Sequence, residues 1–387
     1  MSEWKEYKFS DFVDINPSVK IPKGVPISFV EMKDLDNSSR YCESSQMKEL
    51  SGGSRFVNGD TLFARITPCL ENGKICQVRN LKDGIGFGST EFHVLRGKEG
   101  VSDTDFVYYL SRWDEVRAHA EHNLEGSSGR QRVPKEAFDN LYLLLPPLDE
   151  QKRIASILSS LDDKIDLLNR ENATLEAMAE TLFRQWFIEE VKEDWEEKSL
   201  SDCIMLIGGG TPKTSESNYW NGNICWLSGG DIANNHKGFV LATEKRISDE
   251  GLNNSSAKLL AENAMVVSAR GTVGKYCLLS KPMAFSQSNY GIMPKYDNCF
   301  FFTYLLIAYH IDELQSAAYG SVFDTITTKT FEGVNVALPQ DKDYIIEFEK
   351  MADPYFSKMK NNALQIQSLA KTRDLLLSKL MSNEIAI

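Results

Sequence analysis

The 387 residues contain no C-x-x-C pair, and their five histidines never fall at zinc spacing beside the cysteines. The seven cysteines, at 42, 69, 76, 203, 225, 277 and 299, are odd in number and scattered, which argues against a disulfide framework and a structural metal. They read as small buried hydrophobes. Long apolar runs are also missing. The stretch Cys299-FFFTYLLIAY-His310 falls short of the roughly 18 residues that a membrane span needs. The opening MSEWKEYKFSDFVDINPSVK mixes both charges without an apolar centre, so no secretory leader is expected and a cytoplasmic address is. Positive charge is in deficit, with a net of -12, which excludes a protein that coats nucleic acid indiscriminately but not one with a local basic face. The acidity is densest between residues 148 and 190.

Catalytic signatures are scarce. There is no Asn/Asp-Pro-Pro-Tyr methylation tetrad, no Gly-x-Ser-x-Gly elbow and no His-Glu-x-x-His; His119-Ala-Glu-His122 reads as surface histidines at a helix end. Gly84-IGFG-Gly88 lacks the following alternation of strands and helices that a methyl-donor site requires, and reads as a turn. The paired Asp162-Asp163 reads as solvated. The stretch Ile207-GGGTPKTSESNYWNGNICW-Leu227 invites comparison with a phosphate loop, but Lys213 follows Pro212 where that loop needs Gly-Lys-Ser/Thr. No catalytic residue, cofactor or metal is therefore expected.

What is present is a repeat. Trp4-KEYKFSDFVDI-Ile15 matches Trp195-EEKSLSDCIML-Leu206, Thr61-LFAR-Arg65 matches Val266-VSAR-Arg270, and Gly73-Lys74-Ile75-Cys76 matches Gly274-Lys275-Tyr276-Cys277. Each copy then reaches a Gly-Ser (Gly126-Ser127, Gly320-Ser321), a phenylalanine (Phe138, Phe331) and a strand closed by Leu-Pro (Leu145-Pro146, Leu338-Pro339). Up to the Leu-Pro the pattern is short β-type runs, with helical pieces near 103–121 and 300–318. Beyond it lies one long helix. Leu161, Ile165, Leu168, Asn172, Leu175, Ala179, Leu182 and Trp186 form a heptad seam, repeated in the second copy by Tyr355, Met359, Asn362, Ile366, Leu369, Arg373, Leu376 and Leu380.

Two matching seams in one chain predict a mutual pair, antiparallel because a globular unit separates the helices. Asn172, Asn362 and Arg373 would fix register, and Pro354 predicts a kink or a late start. At about 1.5 Å per residue, a helix of about 36 residues is a strut of about 54 Å. The expected fold is α+β: two duplicated globular domains of mixed β-structure with helices, separated by two long helices forming an antiparallel coiled coil with pseudo-twofold symmetry. The boundaries read as a first globular domain at 1–147, a central helix at 148–192, a second globular domain at 193–340 and a C-terminal helix at 341–387.

Three stretches resemble the specificity subunit of type I restriction-modification systems. Gly209-GTPKTSESNYWNGNICWLSGGDI-Ile232 is similar to the start of that family's target recognition domains, Leu145-PPLDEQKRIASIL-Leu158 to its central helix, and Leu369-AKTRDLLLSKLMSNEI-Ile385 to its C-terminal helix. The resemblance implies a non-catalytic reader of double-stranded DNA, each domain recognising half of a split target. The helices would serve as spacer and as the dock for two methyltransferase subunits, with restriction subunits in the full complex. A strut of about 54 Å would hold the two readers about one to one and a half turns of B-DNA apart. The second Leu-Pro lacks the Glu150-Gln151 pair, so any contact that pair makes is expected to be missing or replaced. The alternative is a coiled-coil adaptor holding two globular modules for a protein target, which the acidic first helix favours. A specificity subunit of a related defence system is a further alternative.

Candidate DNA contacts follow from chemistry. Gly126-SSGRQRV-Val133 offers Ser127 and Ser128 for close backbone approach, Arg130 and Arg132 for phosphate or guanine, and Gln131 for adenine. Arg65 and Arg270, and Lys74 and Lys275, are basic residues at matching positions, suited to DNA or to an ion pair inside each unit. Lys213 could lie near a phosphate. Gln287 and Asn289 in Ser286-Gln287-Ser288-Asn289 are amide readers, where the first copy has Ser89-Thr90-Glu91. The partner-helix residues are Leu161, Ile165, Leu168, Leu175 and Leu182, with Met359, Ile366, Leu369, Leu376 and Leu380.

Overall fold

The computed structural model describes residues 3–22, 24–127, 129–319, 324–385 and 387. The chain divides into two compact units: 1–167 with 367–387, and 168–366. Each long helix, Leu148–Arg184 and Lys342–Met381, is thus shared between them.

The duplication is complete strand by strand. In the first unit Lys5–Lys8 pairs with Tyr142–Leu145, and a five-stranded sheet runs in the order Val13–Ile15, Phe92–Gly97, Thr61–Ala64, Ile75–Val78, Tyr41–Cys42. A four-stranded sheet has the order Gln46–Lys48, Ile27–Val30, Ile85–Gly88, Ser54–Val57. In the second unit Glu196–Ser199 pairs with Asn335–Leu338. Its five-stranded sheet is Ile204–Gly208, Asn289–Pro294, Met265–Ser268, Tyr276–Leu279, Phe239–Val240. Its four-stranded sheet is Lys245–Ile247, Trp220–Leu227, Met283–Phe285, Leu259–Leu260. The parallel pairs fall at the same places in both units. The central strands Thr61–Ala64 and Met265–Ser268 are buried at every residue, as strands covered on both faces must be. The expected helical pieces form as Thr104–Arg112 with Asp114–His122, and Phe300–Tyr309 with Ile311–Tyr319. Phe300–Tyr309 is apolar all round and correspondingly buried, rather than amphipathic.

Two local readings change. Gly84-IGFG-Gly88 is not simply a turn: Ile85–Gly88 is a central strand of the four-stranded sheet, and a Cβ at Gly88 would collide with the Val30 carbonyl. Strand registry also shifts one of the matches. The Ala64 and Ser268 amides donate to the Lys74 and Lys275 carbonyls, respectively. Lys74 and Lys275 are therefore equivalent, whereas Arg65 corresponds to Ala269 and Arg270 lies one residue further along. A one-residue slip reverses side-chain direction, so the two arginines do not repeat one contact.

The long helices begin at Leu148, behind Pro146 and Pro147, and at Lys342. A proline just ahead of a helix removes a donor that would have no intrahelical partner. The second helix runs continuously through Pro354, without a late start. Inside the first unit the Arg373 guanidinium meets Asp162 at 2.7 Å; inside the second, Asn362 donates to the side chains of Asn172 and Glu171, both at 2.9 Å. Within the second unit Phe183 also meets Phe348 at 5.9 Å and Trp186 meets Tyr344 at 4.8 Å, so rising numbers on one helix face falling numbers on the other, which is the antiparallel pairing. The seam residues Ile165, Leu168, Met359 and Leu380 are buried, and Leu161, Leu175, Leu182, Ile366, Leu369 and Leu376 half-buried.

Residues beside the seam and along its extension pack each helix against the core of each unit. Leu158 and Leu377 join the first unit's core; Phe183, Phe187, Phe348 and Phe356 join the second's. Asp162 lies beside the seam, and its burial overturns its solvated reading: at 3% exposure it takes hydrogen bonds from Arg373 and from the Tyr109 hydroxyl. Asp163 is exposed and accepts from Tyr41, and Asp166 binds Arg79 through two bonds. Glu176 and Glu180 serve likewise for Tyr304 and Lys237. Several of the first helix's acidic residues thus pair with groups of the unit each lies in. At its head Gln151 is buried, donating to the Pro146 and Val101 carbonyls and accepting from the Asp103 amide, while Glu150 accepts from Trp4. In the second unit this contact is replaced: Trp195 packs edge-on against Tyr344 at 5.7 Å.

Candidate nucleic-acid interface

Three loops meet beyond the end of the central strand in each unit. In the first, the Arg65 amide donates to the Glu91 carbonyl, the Val133 amide donates to the Arg65 carbonyl, and the Thr67 amide donates to the Gln131 carbonyl. In the second, the Ala269 amide donates to the Ser288 carbonyl and the Ile326 amide to the Ala269 carbonyl. The backbone frame is the same, and the side chains on it differ: Glu91 against Ser288, Thr90 against Gln287, Arg65 against Ala269. The sequence sets Ser89-Thr90-Glu91 against Ser286-Gln287-Ser288-Asn289, and the backbone bonds resolve this to Glu91 opposite Ser288.

Behind the first cluster stands His93, fully buried. The Val133 carbonyl at 2.9 Å can only accept, so Nε2 carries the proton; Nδ1, 3.4 Å from the Asn16 amide, is left as acceptor. The ring is neutral, and burial pushes its pKa down to about 4, outweighing the Val133 carbonyl. It ties the loop ending at Val133 to the turn at Asn16.

The candidate contacts divide by what they touch. Arg132 is clamped on Glu91 by three bonds of 2.6 to 3.0 Å, and this guanidinium holds the Glu91 carboxyl below the usual range. Lys74 donates to the Met32 carbonyl at 2.8 Å. Both spend their charge inside the unit. Arg65 is half-buried, and its Nε has no hydrogen-bond partner among the described residues. Ser127, Arg130, Lys213, Arg270, Lys275 and Gln287 are exposed, and Gln131 is half-buried with its backbone held by Thr67. Ser128, and Gly320-Ser321 in the second copy, lie outside the described residues.

Asn289, expected as an amide reader, is instead 2% exposed and bonds inward to the Ser286 hydroxyl at 2.7 Å. It starts a central strand, so its side chain faces the domain, and the outward amide of this turn is Gln287. Sequence reading missed Glu91 as the partner of Arg132, because the two lie 41 residues apart on different loops.

Two of the glycines at 208–210 have a packing cause. A Cβ at Gly209 would collide with the Ser286 carbonyl, and one at Gly210 with the Ser256–Ala257 backbone. The Gly210 amide is already spent on the Phe285 carbonyl. Lys213 is exposed in the turn that follows, and its carbonyl accepts from the Trp220 indole. These glycines let backbones close on one another, which is a different use from cradling a phosphate.

Comparison with known proteins agrees with this construction. The family model for the type I restriction modification DNA specificity domain matches residues 1–177 and again 192–350. The HindI type I restriction enzyme specificity subunit of Haemophilus influenzae is 26% identical over the whole of both chains. The MjaIX specificity subunit of Methanocaldococcus jannaschii is 24% identical over 100% of this chain and 94% of its own. The fold is that of the type I restriction-modification S subunit from M. genitalium, with a TM-score of 0.55 at 14% identity, covering 98% of this chain and 96% of that one. Two copies of the specificity domain, each followed by a long helix, make this chain a member of the type I restriction-modification specificity subunit family, a non-catalytic determinant of DNA sequence specificity.

Proposed function

We propose that the two loop clusters read the two halves of a split DNA target, and that the helix pair sets the unread spacer between them. On this reading, residues 1–147 and 193–340 are the recognition domains, and 148–192 and 341–387 the helical spacer, which also docks two methyltransferase subunits. Restriction subunits join them in the full complex, working in the cytoplasm. The observation that carries the reading is the pair of equivalent loop clusters with different side chains. One backbone frame offers a glutamate and a threonine in the first unit, and a serine and a glutamine in the second. The Thr90 hydroxyl can pair with either kind of base edge, and the Gln287 amide suits adenine. Arg130, Arg270, Lys275 and Lys213 supply charge for phosphates that position the duplex without specifying it.

The test is to graft Gln and Ser onto positions 90 and 91 and map the sequence methylated by the chain with its methyltransferase partner. Altered bases in one half-site, with the other half and the spacer unchanged, are expected. Changes in both halves, or in neither, would contradict the assignment.

A further inference from the structure

The first unit has an open cleft of about 370 Å³ beside its loop cluster, lined by Asn16, Ser18, Ser54, Arg55, Thr90 and Val94 among others. Its lining mixes polar side chains with the apolar Pro17, Val19 and Val94. Thr90 belongs to both the cleft and the reading turn, so the two surfaces are continuous. Asn16 is held in place from beneath, its amide reaching His93 and its carbonyl accepting from the Val94 amide at 2.9 Å. Ser54 is similarly fixed, donating to the Phe92 carbonyl. Arg55 is exposed at the rim.

The second unit differs at the same place. Strand pairing sets Arg55 opposite Phe87 and Leu259 opposite Ala284, so Leu259 stands where the first unit has Arg55. Gln287 stands where it has Thr90. Counting on from Ile15 and Leu206, Gly210 stands where it has Val19, and Gly210 packs against the Ser256–Ala257 backbone in a contact that no side chain could share. A valine cannot make that approach. Gly209 and Gly210 allow the second unit's segments to approach closely, where the first unit has Ser18 and Val19 lining an open cleft with Arg55.

We propose that this cleft is a phosphate anchor of the first recognition domain: Arg55, with the Ser18 and Thr90 hydroxyls, holds one backbone phosphate of the DNA duplex beside the first half-site. The matching position of the second domain carries Leu259, which has no charge for a phosphate, so the two half-sites are gripped unequally. The proposal rests on the loop clusters being the DNA-facing surface.

The experiment uses the full chain complexed with its methyltransferase subunits, with binding to its mapped duplex followed by fluorescence anisotropy over a salt series. Each phosphate neutralised contributes about 0.9 to the slope of log affinity against log salt. Arg55→Ala should lower that slope by about one and weaken binding about tenfold near 0.1 M salt, equally on duplexes that differ only in half-site bases. Arg55→Lys should keep the slope, and Leu259→Ala should leave it unchanged. An unchanged slope for Arg55→Ala, in protein that melts like the parent, overturns the anchor; so does a loss confined to one base at one position, which marks base reading instead. Failure of the parent complex to prefer any split duplex would count against the proposed function. The slope on whatever duplex it binds still decides the role of Arg55.

Discussion

Removing the Asp162 carboxylate should unlock the first unit from its helix pair. Asp162 and Arg373 are 3% and 5% exposed and 2.7 Å apart, and the Tyr109 hydroxyl donates to the same carboxylate at 2.7 Å. In Asp162→Ala the buried guanidinium keeps only Asp374, a largely exposed partner, and the Tyr109 hydroxyl loses its acceptor. Breaking one side of a buried pair costs about 3–5 kcal/mol, and the surviving Asp374 contact argues for the lower end, about 3 kcal/mol. At about 2–4 °C per kcal/mol for a domain of this size, the melting temperature should fall by about 6–12 °C. Arg373→Met should be similarly harmful, because Asp162 is then left buried without its cation. The double variant Asp162→Leu, Arg373→Met should recover most of the loss, since apolar replacement of a whole buried pair is close to neutral. Urea unfolding of the parent, the two single variants and the double variant closes this cycle. If the single variants cost under about 0.5 kcal/mol, or the double costs the sum of both, the pair is not the lock described.

Three further outcomes follow. His93 is neutral when folded, with its pKa pushed from 6.5 to about 4. The unfolded chain therefore binds more protons below pH 6.5, and the first unit should lose on the order of 2–3 kcal/mol as pH falls from 6.5 to 4; hydrogen exchange in strand Phe92–Gly97 should show it, and a His93→Gln variant should flatten that slope. Glu349 has the opposite sign: burial lifts its pKa from 4.5 to about 7 even though it accepts from the Phe301 and Phe302 amides. Folding there takes up a proton, so the second unit should lose on the order of 2 kcal/mol as pH rises from 4.5 to 7, and Glu349→Gln should remove the dependence. Deleting one heptad from each helix, 166–172 and 360–366, should change the spacer of the recognised sequence and leave both half-sites alone; altered half-sites with an unchanged spacer would refute the ruler.

Much of the fold was legible because it was written twice. Short motifs such as Trp4 and Trp195, or the two Leu-Pro strand ends, located the repeat, and the heptad seam located the helix pair. Details set by distant partners were not legible. Asp162 looked solvated because its partner Arg373 lies 211 residues away, and a single off-seam carboxylate carries no local sign of burial. Arg65 and Arg270 match in the sequence, yet a three-residue difference between the loops that follow hides a one-residue slip, which strand registry resolves. Asn289 looked like a reader for its chemistry, and its strand position turned it inward. The glycines at 208–210 suggested a phosphate loop because close backbone packing and phosphate binding call for the same residue.

The measurement that bears most directly on the central claim is a genome-wide map of methylated adenines in cells expressing this chain with its methyltransferase subunit. The account predicts one split motif, two short specified halves flanking a spacer of fixed length and arbitrary sequence, absent from cells without the chain. Methylation at an uninterrupted motif, or active methylation that does not depend on this chain, would contradict it.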